Sequence, residues 1–199
     1  MNSSQKVILC GGPDRCGKTN ILHAIAQVTG IPYFKASNEH LNFMSSQDRF
    51  INELRFSDFK MVDFLKQTKH SVLIDRAYMC EYAYSKFFNR QTDIEALKDL
   101  DAKYASFGAK ILICTRKSFV GIQDDLNPKL DSAALEKISN LYEEFSLWTK
   151  CKTYTLHVDD EDLFREVDEV LEFMGYDRIS RLSKISQLSG EYNESRNAK

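Results

Sequence analysis

Gly12, Gly17, Lys18 and Thr19 stand in the spacing G-x-x-x-x-G-K-[ST], directly behind the apolar run Val7-Ile-Leu-Cys10. That spacing builds a loop, here Gly12-Pro13-Asp14-Arg15-Cys16-Gly17, whose backbone N–H groups wrap the phosphates of a nucleoside triphosphate such as ATP. The glycines let the backbone come close. Lys18 offsets charge on the β- and γ-phosphates, and the Thr19 hydroxyl suits Mg²⁺. The surroundings agree: a strand is expected over residues 6–10 and a helix over 18–29, and a helix N-terminus supplies part of an anion site.

The segment Ser71-Val-Leu-Ile-Asp75-Arg76 ends a second apolar strand with an acid and a base side by side. A carboxylate so placed reaches Mg²⁺ or its waters. In an open parallel sheet the ligand crevice lies at the C-terminal ends of the strands, so Asp75 is expected beside Lys18 and Thr19. Arg76 would then be a fixed, bidentate grip on phosphate.

These groups need a rigid frame, and the chain supplies one by alternating short apolar runs with helical periodicity, the pattern of a parallel sheet covered by helices. Strands are predicted over residues 6–10, 32–35, 71–75, 110–115 and 153–158. Helices are predicted over 18–29, 46–68, 78–88, 93–107, 132–150 and 160–174. In the second helix Ile51, Leu54, Met61 and Leu65 form the apolar stripe, and Phe50, Arg55, Phe56 and Phe59 fall to its sides, towards a cleft. Thr92-Asp-Ile-Glu95 reads as a capping box, with Gly108 as the stop of that helix. The polar stretch 116–130, with Gly121 and Pro128, is expected to be a mobile lid. From residue 177 the composition thins to Ser, Asn, Lys and Glu. Ile179, Leu182 and Ile185 are expected to add a docked turn, and 189–199 to trail as a loose tail.

At 199 residues the chain suits one well-buried domain. A formal net charge of −2 argues against a protein built mainly to coat nucleic acid. The five cysteines show no CxxC or metal-ligand spacing and read as buried thiols in a reducing compartment. Cys16, within the loop, reads as a residue tolerated there, at a position that oxidation could affect. No pair of histidines has ligand spacing. Trp148, Leu141 and Phe145 share a helical face and read as packing. The acidic run Asp159–Asp162 reads as a helix N-terminus. Neither a signal-peptide core nor a membrane-span run is present, which predicts a soluble, cytoplasmic protein that engages no membrane.

The loop Gly12-Pro-Asp14-Arg15-Cys-Gly-Lys-Thr19 and the pair Asp75-Arg76, followed by Tyr78, Glu81, Tyr82 and Tyr84, resemble thymidylate kinase. More narrowly they resemble the thymidylate-kinase-like deoxynucleoside monophosphate kinases carried by large bacteriophages. The resemblance spans residues 6 to about 174. It implies a P-loop NMP-kinase-like three-layer α/β/α fold with a five-stranded parallel sheet in the order 2-3-1-4-5. It also implies a kinase domain over 1–176 with its lid at 117–130, and a partly disordered extension over 177–199. The activity implied is Mg²⁺-dependent transfer from ATP to a small nucleotide, in the host cytoplasm if phage-encoded, with a homodimer left open. By resemblance Asp14 meets the sugar 3′-hydroxyl, Arg15 binds γ-phosphate in place of a lid arginine, and Arg76 grips the acceptor phosphate. Arg55 and Phe50 would lie near the acceptor base, Tyr84 among the acceptor-binding residues, and Arg116 near the adenine of ATP. No Arg lies between Lys117 and Leu130, in keeping with that branch.

The sequence departs from the family on the acceptor side. Asp75-Arg76 is followed by Ala77, Cys80 takes the place of a serine, and the usual FPxR segment reads Phe34-Lys35-Ala36-Ser37-Asn38-Glu39-His40. Phosphate binding in that segment would fall to Lys35 or His40. The expected acceptor is a pyrimidine deoxynucleoside monophosphate, dTMP or a 5-substituted dUMP such as 5-hydroxymethyl-dUMP. One rival acts on 5-hydroxymethyluracil within DNA. Another binds ATP as a regulator without transferring phosphate. A GTPase is disfavoured because no N-K-x-D motif follows the fourth strand.

Overall fold

The apolar runs Val7–Gly11 (β1), Val72–Asp75 (β3) and Lys110–Thr115 (β4) are buried along almost their whole length, as central strands of a sheet covered on both faces must be. Tyr33–Lys35 (β2) and Lys152–His157 (β5) are largely exposed or half-buried and form the edges. The five strands are all parallel, in the order β2-β3-β1-β4-β5. The protein is described by a computed structural model that covers residues 5–35, 47–122, 130–159 and 162–197, without the side chains of 47–56 and 191–197.

Helices cover both faces. Lys18–Thr29 (α1) packs with Leu163–Met174 (α6) and Arg178–Asn197 (α7) on one side. Gln47–Thr68 (α2), Tyr78–Phe87 (α3), Ile94–Ala105 (α4) and Ser132–Ser146 (α5) pack together on the other. The three-layer α/β/α architecture and the strand order are those expected. Two layers of side chains fill the core, among them Ile8, Leu9, Leu22, Ile25 and Leu73 against the sheet and Tyr78, Tyr104, Tyr142 and Phe145 among the helices.

Helix ends differ from expectation where side chains capture the backbone. Asp93, not Thr92, caps α4, accepting from Ala96 N at 3.0 Å. The helix expected over 132–150 stops at Ser146. Beyond it, the buried carboxylate of Asp101 accepts from Lys150 N at 2.7 Å and from the Thr149 hydroxyl, and so draws the chain off the helical path. Tyr78 donates to the same carboxylate at 2.7 Å. Helix α6 begins at Leu163, three residues late, because Asp162 caps it by accepting from Phe164 N and Arg165 N, each at 3.1 Å.

The loose tail expected from residue 189 is instead the last part of α7. Of the three residues expected to dock, Ile185 packs against the core as expected, whereas Ile179 and Leu182 are exposed and Leu188 is buried in their place. Polar side chains fix the rest of the helix: Lys184 Nζ donates to Val28 O at 2.6 Å, and Arg181 pairs with Asp168 at 3.3 Å and with Glu172.

Candidate active site

The chain leaves β1 through Gly11 and Gly12 and enters α1 at Lys18. Three residues of this passage take positive φ: Gly12 at 131°, Arg15 at 64° and Gly17 at 61°. Gly12 leaves no alternative. A Cβ there would stand 2.0 Å from the carbonyl oxygen of Cys114 on β4. Gly12→Ala is therefore expected to cost about 2–4 kcal/mol, from backbone strain and overpacking together. A thermal melt reads the loss of stability, and nucleotide titration of the folded fraction reads the accompanying loss of binding.

Gly17 is the N-cap of α1, and among the described residues no side chain caps that helix and no acid stands in its first turn. The first N–H groups of α1 are thus left for an anion. Lys18 is buried in the concavity, with Nζ donating to Pro13 O. Arg116, just past β4, donates from Nε to Arg15 O at 3.1 Å and so ties the next strand end to the loop. Cys16 is fully buried, and its thiol is pushed up to about 12, mainly by burial. Its burial makes it a packing residue of the loop.

Asp75 faces the loop across the sheet, its Cα level with Cys10 of β1 and Lys35 of β2. The carboxylate is buried and used unevenly. Oδ2 accepts from Thr19 Oγ1 at 2.8 Å and from Tyr33 OH at 2.9 Å, while Oδ1 is buried with no partner among the described residues. A bare carboxylate oxygen next to a hydroxyl suits a hard cation that takes oxygen ligands, so Thr19 and Asp75 fit Mg²⁺.

Arg76 follows at φ 72°, a conformation costly for a residue with a Cβ and typical of functional sites. Its N–H still bonds Cys10 O at 2.9 Å, and the left-handed turn swings its side chain towards the phosphate loop. There Arg76 Nη2 donates to Asp14 Oδ1 at 2.5 Å, and Tyr84 OH of α3 donates to Asp14 Oδ2 at 2.9 Å. The Arg76 guanidinium lies 6.0 Å from the centre of the Tyr84 ring. Burial raises the Asp14 pKa, but Arg76, and then Lys18, outweigh it and hold the carboxyl below its ordinary value. Burial likewise disfavours the charged Arg76, and the Asp14 carboxylate reverses that effect. Both groups stay ionised at neutral pH.

The structure thus brings Asp14, Lys18, Thr19, Asp75, Arg76 and Tyr84 to one end of the sheet, with Arg116 at its edge. The side chains of Phe50 and Arg55, and residues 36–40 with His40, lie outside the described residues. Of the expected lid, 123–129 lies outside them too. Its shoulders are pinned: Phe119 and Leu130 are buried, and Lys117 N donates to Asp159 Oδ1 at 2.8 Å. No pattern in the sequence singles out Tyr33, whose place opposite Leu73 on β3 lets its hydroxyl reach Asp75.

Neither a protein-family model nor a curated protein matches the sequence. Solved structures do. YorR protein from Bacillus subtilis, solved with phosphorylated GDP, superimposes with a TM-score of 0.64 at 19% identity, over 84% of this chain and 94% of that one. Thymidylate kinase from Ehrlichia chaffeensis gives 0.56 at 14% identity, over 86% and 100%. Deoxyadenosine kinase from M. mycoides with bound dATP gives 0.52 at 17% identity, over 86% and 100%. At such identities the likeness is one of fold, and a fold does not choose a substrate. The chain has the three-layer α/β fold shared by the P-loop nucleotide and nucleoside kinases.

Proposed function

We propose that the protein transfers the γ-phosphoryl group of ATP to the 5′-phosphate of a pyrimidine deoxynucleoside monophosphate, dTMP or a 5-substituted dUMP. The observation that carries this reading is Arg76, which stands one residue beyond the buried Asp75 and reaches across to Asp14 of the phosphate loop. A site that only bound or hydrolysed ATP would have little use for a second, half-buried cation beside the loop in addition to Lys18.

An oxygen of the acceptor phosphate attacks the γ-phosphorus, and the bond to the β–γ bridging oxygen breaks with its electron pair leaving on ADP. The products are ADP and the nucleoside diphosphate. The attacking oxygen is already anionic, so no strong base is required and catalysis is positioning plus charge compensation. Lys18 and Arg15 compensate the transferring group, the latter in place of a lid arginine. Thr19 and Asp75 would hold Mg²⁺, which when bound withdraws charge from the donor phosphates. Arg76 aligns the acceptor phosphate. Asp14 takes the sugar 3′-hydroxyl with Tyr84 beside it, Arg55 and Phe50 flank the base, and Arg116 lies on the donor side.

The test is ADP formation with dTMP, 5-hydroxymethyl-dUMP, dGMP, a ribonucleotide and an oligonucleotide containing 5-hydroxymethyluracil. One of the two free pyrimidine deoxynucleotides is expected to be the best acceptor. Phosphorylation of the oligonucleotide alone would replace this reading with a DNA kinase. ATP binding without turnover on any acceptor would replace it with a nucleotide-binding regulator.

A further inference from the structure

Tyr33 is a group at this end of the sheet to which the proposed reaction gives no part. Its ring leaves the edge strand β2 half-buried and stands edge-on against His23 of α1, with ring centres 4.4 Å apart at 79°. So supported, it extends towards the sheet end, past the level of its strand partner Leu73, and its hydroxyl donates to Asp75 Oδ2 at 2.9 Å.

Resting on the kinase reading above, we propose that Tyr33 is a positioning residue for the metal-bound nucleotide, fixing the rotation of the Asp75 carboxylate so that Oδ1 is the oxygen offered to the cation. The asymmetry of the carboxylate carries the inference. A buried carboxylate that needed only structural satisfaction would share its donors between both oxygens. Here Thr19 and Tyr33 both bond Oδ2, and Oδ1 is left bare although buried. Thr19 alone could not hold this arrangement, because its hydroxyl is itself expected to turn a lone pair towards the metal. Tyr33 approaches from another strand, its hydroxyl meeting both the Asp75 carboxylate and the Thr19 hydroxyl, and is not itself expected to face the metal. Groups behind a metal ligand commonly set its orientation in this way, and their loss weakens metal affinity without emptying the site.

Tyr33→Phe keeps the ring and its contact with His23 and removes only the hydroxyl. Mn²⁺ is titrated into the protein with a non-hydrolysable ATP analogue, and free Mn²⁺ is read by electron paramagnetic resonance. The apparent dissociation constant of Mn²⁺ is expected to rise about tenfold. The affinity for the analogue without metal, measured in EDTA, is expected not to move. In the kinetic assay the lost rate should return at high Mg²⁺, a change in the Mg²⁺ requirement more than in the limiting rate. A Mn²⁺ curve identical to that of the wild type overturns the proposal. So does a variant that only melts earlier, since that is the signature of packing alone. Failure of the wild-type protein to bind metal and nucleotide together would overturn the kinase reading itself, and that outcome is visible before any variant is made.

Discussion

Lys18→Ala is expected to lower the rate of ADP formation by about two to three orders of magnitude, the scale of removing one preorganised electrostatic stabiliser, while leaving the fold intact. The ammonium group is buried in the loop concavity and bonded to Pro13 O, so it belongs to the anion site and to no hydrophobic contact that the core needs. Developing charge on the transferring phosphoryl group meets this cation in a poorly hydrated cradle, where an opposite charge counts for far more than it does in water. Arg15 stands on the exposed rim and cannot replace it. A melting curve and a circular dichroism spectrum establish that the variant is folded, and initial rates at saturating ATP and acceptor then read the effect. Wild-type turnover in a folded Lys18→Ala protein would sink the kinase reading.

How far the sequence reveals this site depends on how local the determinants are. The phosphate loop is local: its glycine spacing, the strand before it and the helix after it are contiguous, and the positive φ values at Gly12 and Gly17 are what that spacing requires. Asp75 is nearly as legible, since an apolar run closing on an acid places the carboxylate at a strand end in any parallel sheet. The partner of Asp14 needed three dimensions. Arg76 was expected to face an acceptor phosphate, yet it also closes an ion pair with the loop, because a left-handed residue after β3 turns its side chain back across β1. Tyr33 was invisible for a related reason. A tyrosine in a short strand is ordinary by propensity, and its role follows from a register that no pattern on one strand encodes. The failure at α7 has another cause. Its last residues are polar enough to read as a tail, yet the helix runs on through them, and its first part docks through Ile185, Leu188, Lys184 and Arg181 and not through a continuous apolar stripe.

Arg76→Ala should cut kcat/KM for the acceptor by about a hundredfold to a thousandfold and leave ATP affinity nearly unchanged. Two effects act in the same direction. The guanidinium that aligns the acceptor phosphate is lost, and the Asp14 carboxylate, partly buried and now bonded only to Tyr84, faces the incoming dianion without its counter-charge. Arg76→Lys should recover little, because a point charge does not reproduce the planar fork that meets a carboxylate and a phosphate at once. Arg76→Ala removes the main charge that holds the Asp14 carboxyl below its ordinary value and leaves burial, which raises it; raising the pH then only favours the repelling carboxylate and cannot rescue the variant, whereas removing the charge of Asp14 should. The double variant Asp14→Asn with Arg76→Ala is therefore expected to lose less than the sum of the two single losses, the mark of side chains that act on one another. Melting curves identify any variant that fails to fold, and acceptor titrations at fixed ATP give the four corners of the cycle. Strictly additive losses would show that the two side chains serve separate ligands. A loss confined to the KM for ATP would move Arg76 to the donor side and withdraw its assignment as the acceptor grip.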